Sequence, residues 1–283
     1  MRLAATLESF ATVVKSGEQD VPSCIRACAA MGVGAMELVD RLIQGTDLKV
    51  LHSALVATGC HVCCYTVHCD ITNVDAEARE RELASLLHAV KRAAALGVAI
   101  VAVIPSGDQR AGTSDQLRRW YSSALARARP LARRLGVRLA VENIGAGSTS
   151  SYCSTPDDVN AIVELAGSEV ATIFDVGNYV LVGEDPVSAL SALRTEIVNV
   201  HLKDWRIVTN EDCVGMGRFL GRDGRCHMAV PLGAGIVDLT RAIRALTSRR
   251  DYRGFVTMDY EGPDSPMDAI PEGVGYLRAL VAA

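Results

Sequence analysis

The 283-residue chain has no surplus of positive charge: 29 Lys and Arg stand against 33 Asp and Glu, for a formal net charge of −4. Its basic residues are scattered without forming a stripe, so nothing in it is built to neutralise a phosphate backbone, and nucleic acid is not an expected partner. It also lacks any apolar run near the ~18 residues of a membrane span. The opening stretch "MRLAATLESFATVV" lacks the sustained apolar core and cleavage site of a signal peptide. A cytoplasmic protein with no membrane partner is the expectation.

Familiar catalytic and cofactor motifs are missing as well. "GVGAME" and "GMGRFLG" miss the GxGxxG spacing and do not sit between a strand and its helix. There is no P-loop and no GxSxG elbow. Nine cysteines are present, an odd count in a chain too long to need disulfide staples, so reduced thiols packed as small hydrophobes are expected. The stretch "CHVCCYTVHCD" holds one CxxC, Cys60 and Cys63, but no second pair follows it. On a strand these two face opposite sides, which favours core packing over a zinc site.

What is there is apolar and periodic. At 49% hydrophobic residues the chain can bury a large core, as one big α/β domain or two modest ones. Eight β-like runs, near 2–6, 34–39, 61–68, 98–104, 137–143, 170–175, 197–202 and 255–260, alternate with helical patterns near 21–31, 47–58, 75–96, 114–135, 156–166, 185–194, 237–248 and 268–281. "STPDDV" supplies a cap in Ser154 or Thr155 with Pro156 in the first turn, and Gly97 and Gly136 follow last turns. An eightfold alternation without a linker predicts one closed (β/α)8 barrel over residues 1–283, with a doubly wound open sheet as the alternative. One connection breaks the rhythm: residues 205–234, "WRIVTNEDCVGMGRFLGRDGRCHMAVPLGA". Barrels carry their chemistry at the C-terminal strand ends, so a loop of this length there is expected to be a lid over the active site. Its Arg218, Arg222 and Arg225 are candidates for binding an anionic group.

Side chains two apart on a strand share a face. By that rule Glu142 points into the barrel with Ala140, Asp175 with Ile173, and His201 with Asn199, while Val198, Val200 and Leu202 point outward. In "GFVTMDYEG", Thr257, Asp259 and Glu261 share the inner face. Singly, each acid reads as a helix cap or a hydrogen-bonded interior group. Together, strands five to eight deliver acids and a histidine to one end of the barrel. Carboxylates crowded there repel one another and take up protons unless a cation neutralises them. Oxygen donors with one imidazole suit one divalent ion, Mn²⁺ first, with Mg²⁺, Co²⁺ or Zn²⁺ as alternatives.

The segments "VEN", "FDVGNY", "VNVHLKD", "PLGAGIVDL" and "GFVTMDYEG", in this order, resemble the xylose-isomerase-like sugar phosphate isomerase/epimerase superfamily, whose members include inosose isomerases and dehydratases, ketose 3-epimerases and the more distant AP endonucleases. The resemblance is strongest over 137–262. It implies a TIM barrel holding a divalent metal on Glu142, Asp175, His201 and Asp259, with Glu261 the alternative fourth ligand. Relatives usually carry Glu where Asp259 stands. In the epimerases the strand-five and strand-eight acids are also the acid/base pair, which makes Glu142, Asp259 and Glu261 the catalytic candidates. Asn178 occupies the place of a substrate-binding histidine in many ketose epimerases. Glu37, His68 and Lys203 are further substrate-binding candidates at the ends of strands two, three and seven.

The chemistry implied is proton abstraction next to the carbonyl of a sugar, sugar phosphate or cyclitol, through a metal-stabilised enediolate. Reprotonation gives an epimer or an aldose/ketose isomer; loss of a β-hydroxyl makes the enzyme a dehydratase. Family frequency favours an isomerase or epimerase acting on a small carbohydrate or cyclitol. AP-endonuclease-like phosphodiester cleavage needs more histidine ligands than His52, His61, His68, His88, His201 and His227 supply at suitable places. An inactive binding barrel is a third possibility. A mean hydropathy of +0.19 is high for an enzyme of this kind and fits a homo-oligomer interface.

Overall fold

The computed structural model describes residues 2–106, 112–145, 152–209, 213, 215–249 and 251–282. Eight parallel strands close into a barrel. In chain order its strands are β1 (Arg2–Thr6), β2 (Ala35–Val39), β3 (His61–Cys69), β4 (Ile100–Pro105), β5 (Arg138–Glu142), β6 (Ala171–Asp175) and β7 (Ile197–Leu202); after β8–β10 of a separate sheet comes the closing β11 (Phe255–Met258). Around the barrel the order is β1-β11-β7-β6-β5-β4-β3-β2.

Helices follow the strands because each carries an apolar face and a stop signal. Thr155 forms a full capping box with Asp158, and Pro156 opens that helix. Gly97 and Gly136 take φ +71° and +70° after Leu96 and Leu135, the left-handed turn that only glycine adopts without strain. The core divides in two. Val141, Phe174, Val200, Leu202, Val256 and Met258 pack outward against helices, while Ala4, Ala35, Cys64, Ala102, Ala140, Ala171 and Ile173 fill the barrel's interior. Small residues at the bottom leave the polar chemistry to the upper end.

Several expectations need correction. Val198 packs with the interior cluster rather than outward, because the β6–β7 register slips between Thr172 and Ile173. The last barrel strand stops at Met258, so Asp259 and Glu261 lie beyond it; a bond from Asp259 N to Leu202 O, 3.0 Å, still fixes Asp259. Short helices Asp40–Ile43 and Val176–Leu181 follow β2 and β6 directly. They are too brief for periodicity to reveal.

The long connection is not structureless. Residues 210–212 and 214 lie outside the described residues, but its remainder forms an antiparallel sheet in the order β8 (Asp204–Val208), β10 (Cys226–Val230), β9 (Arg218–Leu220). Nor are all nine thiols reduced: Cys213 and Cys226 form a disulfide within this sheet. The other seven cysteines form no disulfide and are buried; Cys60 stands one residue before β3 and packs in the outer cluster, while Cys63, on the strand, packs in the inner one. Among the described residues no helix is long and apolar enough to cross a membrane.

Candidate functional site

Four strand ends converge on one point. Ligand atoms of Glu142, Asp175, His201 and Asp259 all lie within 4.8 Å of one another, and all four residues are buried. Each arrives by simple chain geometry: Glu142 and Asp175 are the final residues of β5 and β6, His201 is the penultimate residue of β7, and Asp259 follows β11.

Asp175 is both a cap and a site residue. Its Oδ1 accepts from Asn178 N at 2.7 Å, starting the helix Val176–Leu181. Its Oδ2 is buried without a hydrogen-bond partner, as is Asp259 Oδ1. Asp175 Oδ2 has only the Lys203 ammonium at 3.4 Å, and a buried carboxylate oxygen without a hydrogen bond is costly, so two at one cluster are what a bound cation would satisfy.

His201 is oriented from behind. Nε2 lies 2.8 Å from Glu37 Oε2, while Nδ1 faces Glu142 Oε1 at 3.3 Å and Asp259 Oδ2 at 3.6 Å. A histidine that gives its Nε2–H to a carboxylate presents Nδ1 as the free donor. Glu37 is itself held by Thr66 Oγ1 at 2.5 Å and Asn199 Nδ2 at 2.9 Å. Asn143 ties β5 to β6 by a pair of bonds, Nδ2 to Asp175 O at 3.0 Å and Oδ1 from Asp175 N at 2.9 Å. Asn178 Nδ2 donates to Asn143 O at 3.0 Å and approaches Glu142 Oε1 at 3.5 Å.

Lys203 is buried with its Nζ 2.5 Å from Glu261 Oε1, 3.1 Å from Asp259 Oδ2 and 3.4 Å from Asp175 Oδ2. Glu261 thus engages the lysine and stands outside the four-residue group, whereas Asp259 is in it. Burial pushes the Asp175 carboxyl up to about 7 even though Lys203 and His201 pull the other way. Burial, with Glu261 nearby, likewise raises Asp259 well above the ordinary carboxyl range. Glu142 goes down: burial opposes ionisation, but the charges of His201 and Lys203 prevail. Against the cost of burial, Glu37 and Glu142 raise His201, and Asp259 and Glu261 raise Lys203. The acids therefore outnumber the fixed cations in a dry site. Asp175 and Asp259 are thereby biased toward taking up protons, which a dication would oppose.

Glu142, His201 and Asp259 form the floor of a cavity of about 210 Å³, with Asp175 fully buried behind them. His68, Asn178, Glu37, Lys203 and Glu261 line it as well. Arg218, Arg222 and Arg225 do not line it; Arg225 pairs instead with Asp223 at 2.7 Å. The sequence reading missed Glu8, Trp205 and Phe219, which also line the cavity. Trp205 Nε1 donates to Gly177 O at 2.8 Å, and its ring meets Phe219 edge-on at a centroid distance of 5.2 Å. These two aromatics bring the three-stranded sheet over the barrel mouth. An available signal was the aromatic directly after "HLKD". Among the described residues no second group able to hold a metal occurs.

Comparison with known proteins fits this geometry. Inosose dehydratase of Mesomycoplasma hyopneumoniae strain 7448 is 29% identical over 130 residues, 44% of this chain and 43% of that protein, so the match spans less than half of the curated relative. Among solved structures, the IolI protein with a bound zinc atom superposes with a TM-score of 0.78 at 15% identity, covering 100% of this chain and 98% of that one. The D-psicose 3-epimerase of Clostridium cellulolyticum H10, solved with D-tagatose, gives 0.76 at 13% identity over 99% of each chain. At such identities these structures speak for the fold alone. A family model described as xylose isomerase-like TIM barrel matches residues 25–280, and the chain belongs to that family.

Proposed function

We propose that the protein is a divalent-metal-dependent isomerase or epimerase acting on the keto form of a sugar or cyclitol. One observation carries the reading: Glu142, Asp175, His201 and Asp259 bring ligand atoms within 4.8 Å of one another at the cavity, and two of their buried carboxylate oxygens make no hydrogen bond. These four residues would hold the ion, with His201 contributing Nδ1. Mn²⁺ is the first choice on donor set, and the zinc in IolI keeps Zn²⁺ in the comparison. When bound, the ion supplies Lewis acidity that draws charge onto a carbonyl oxygen and acidifies the neighbouring C–H.

The chain's own residues do the rest. Glu142, held in its ionised form, is the base that takes the proton. Asp259 stands on the other side, a carboxylate once the ion is bound, and passes back a proton drawn from the adjoining Lys203 and Glu261 pair. Asn178 and His68 bind substrate hydroxyls. Glu37, expected from sequence to touch substrate, has both oxygens occupied and acts by orienting His201. The aromatic face of the sheet, Trp205 and Phe219, keeps water off the deprotonated carbon.

A dehydratase is the second reading, favoured by the inosose dehydratase match. It uses the same base and differs in that a β-hydroxyl leaves instead of a proton returning. The test is metal content by mass spectrometry, then NMR of solvent deuterium entering ketoses and inososes on Mn²⁺-loaded protein. Exchange next to a carbonyl that disappears in Glu142→Gln supports isomerase chemistry, and net loss of water from an inosose supports the dehydratase. If no metal binds even after loading, the central claim fails.

A further inference from the structure

The cavity has a second wall, from which the proposed chemistry uses His68 and Glu37 but not the turn after β1. It is built by the ends of β1, β2 and β3, and β1 stands diametrically across the eight-strand order from β5, which carries Glu142. On this wall sits Glu8. Thr6 Oγ1 accepts from Glu8 N at 3.1 Å, which turns the chain sharply after β1 and aims the side chain inward. Arg41, in the short helix after β2, donates to Glu8 Oε1 and anchors it. Glu8 Oε2 is buried and has no partner.

Glu8 also borders an adjoining cavity of about 190 Å³, lined in addition by Glu261 and by Met216 and Gly217, which precede β9. The backbone can lie there because residue 217 is glycine: a Cβ would come within 2.6 Å of Glu261 O. A fixed, half-satisfied carboxylate between two lobes of one site is an acceptor awaiting a donor. An acceptor of this kind binds an O–H and discriminates against its removal, since a buried polar group left unpaired is costly. A phosphate ester at the same place would set its charge against that of Glu8, an opposition that Arg41 offsets only in part.

We propose, on the basis of the function argued above, that Glu8 is a specificity-determining residue. It accepts a hydrogen bond from a substrate hydroxyl remote from the reacting carbon, so the substrate is a polyhydroxylated ketone whose distal hydroxyl is free and not phosphorylated. Arg41 is a positioning residue that fixes the carboxylate. Neither takes part in metal binding or proton transfer.

The experiment uses Mn²⁺-loaded wild-type, Glu8→Gln and Glu8→Ala proteins, with solvent-deuterium exchange followed by NMR. Probes are D-fructose and 2-keto-myo-inositol, their mono-deoxy analogues, and D-fructose 6-phosphate. For whichever parent ketone the wild type exchanges, Glu8→Ala raises KM by about ten- to a hundredfold, with kcat and metal content nearly unchanged. That penalty disappears for the one deoxy analogue lacking the recognised hydroxyl, and discrimination against the 6-phosphate narrows. Glu8→Gln, close in shape, guards against misfolding and shows the same pattern more weakly. Equal KM values for wild type and both variants on every probe overturn the proposal and leave the function reading standing. So does a wild type that prefers the 6-phosphate, or a Glu8→Ala protein that has lost its metal. Metal-loaded wild type that exchanges no ketone removes the function reading, and this assignment with it.

Discussion

At the residue scale, His201 shows how the site divides its labour. One ring nitrogen faces the cluster and the other faces Glu37, so the tautomer that can ligate is set by a carboxylate 164 residues earlier in the chain. Groups in that supporting position typically contribute ten- to a hundredfold to metal affinity. Glu37→Gln keeps the size and loses the charge, and it is expected to weaken metal binding by about that factor, measured by competition with a fluorescent chelator. An affinity equal to wild type would mean that His201 is oriented by other contacts. The four converging residues were legible in the sequence because strand alternation holds where each of them lies, at or next to a strand end, even though it fails at Val198. Glu37's partner was not, since nothing local tells an inward acid which side chain it will meet. Glu8 escaped for a related reason: it lies just past β1, where alternation stops and a 3₁₀ turn decides direction.

At the element scale, the connection between β7 and the next barrel strand has an anchor that periodicity does not reveal. Asp204 accepts four backbone N–H groups, those of Trp205 at 2.9 Å, Gly233 at 2.9 Å, Gly235 at 2.9 Å and Val237 at 3.0 Å. The carboxylate thus pins the chain's return to the root of the three-stranded sheet. Gly235 is required there, as a Cβ would fall 2.2 Å from Asp204 Oδ1. "KD" and "PLGAGIVDL" are both visible in the sequence, but their pairing across the intervening sheet is not. Asp204→Ala leaves these donors without their acceptor, and each orphaned buried group costs about 1–3 kcal/mol. Relaxation and water recover part of it, so a net loss of about 3 kcal/mol is expected in denaturant unfolding. A loss under about 0.5 kcal/mol, the scale of an ordinary surface change, would show that the pin is dispensable.

The same element carries the Cys213–Cys226 disulfide, which overturned the expectation of nine reduced thiols. Unreduced, denatured protein is therefore expected to titrate seven thiols with Ellman's reagent, and nine after reduction. In the native state the count falls close to zero at pH 8. Burial pushes the Cys60 thiol up to about 11 and Cys24 up to about 12. A raised thiol pKa leaves little thiolate at pH 8, and thiolate is the reactive form. Nine thiols in the unreduced denatured protein would show that the pair is open.

At the scale of the whole molecule, the barrel's stability and its site are linked through the cluster. Closing the eight strands brings together acids on β5, β6 and after β11 that repel one another in a buried space. A cation bound only by the folded chain converts that repulsion into stabilisation, by about 2.7 kcal/mol at a concentration a hundred times its Kd. For a chain of this size that corresponds to a rise in melting temperature of about 5 °C. Mn²⁺ should produce this shift, a chelator should reverse it, and the same concentration of K⁺ should not. Asp175→Asn and Asp259→Asn should each flatten the response, because each removes one ligand charge from the group. Both should also melt higher than the wild type without metal, since the uncharged amide relieves the crowding that biases the two carboxyls toward taking up protons. A wild-type melting temperature indifferent to Mn²⁺ would mean that Lys203 and His201 already balance the site, and the four-residue cluster would then be a structural charge network rather than a metal centre.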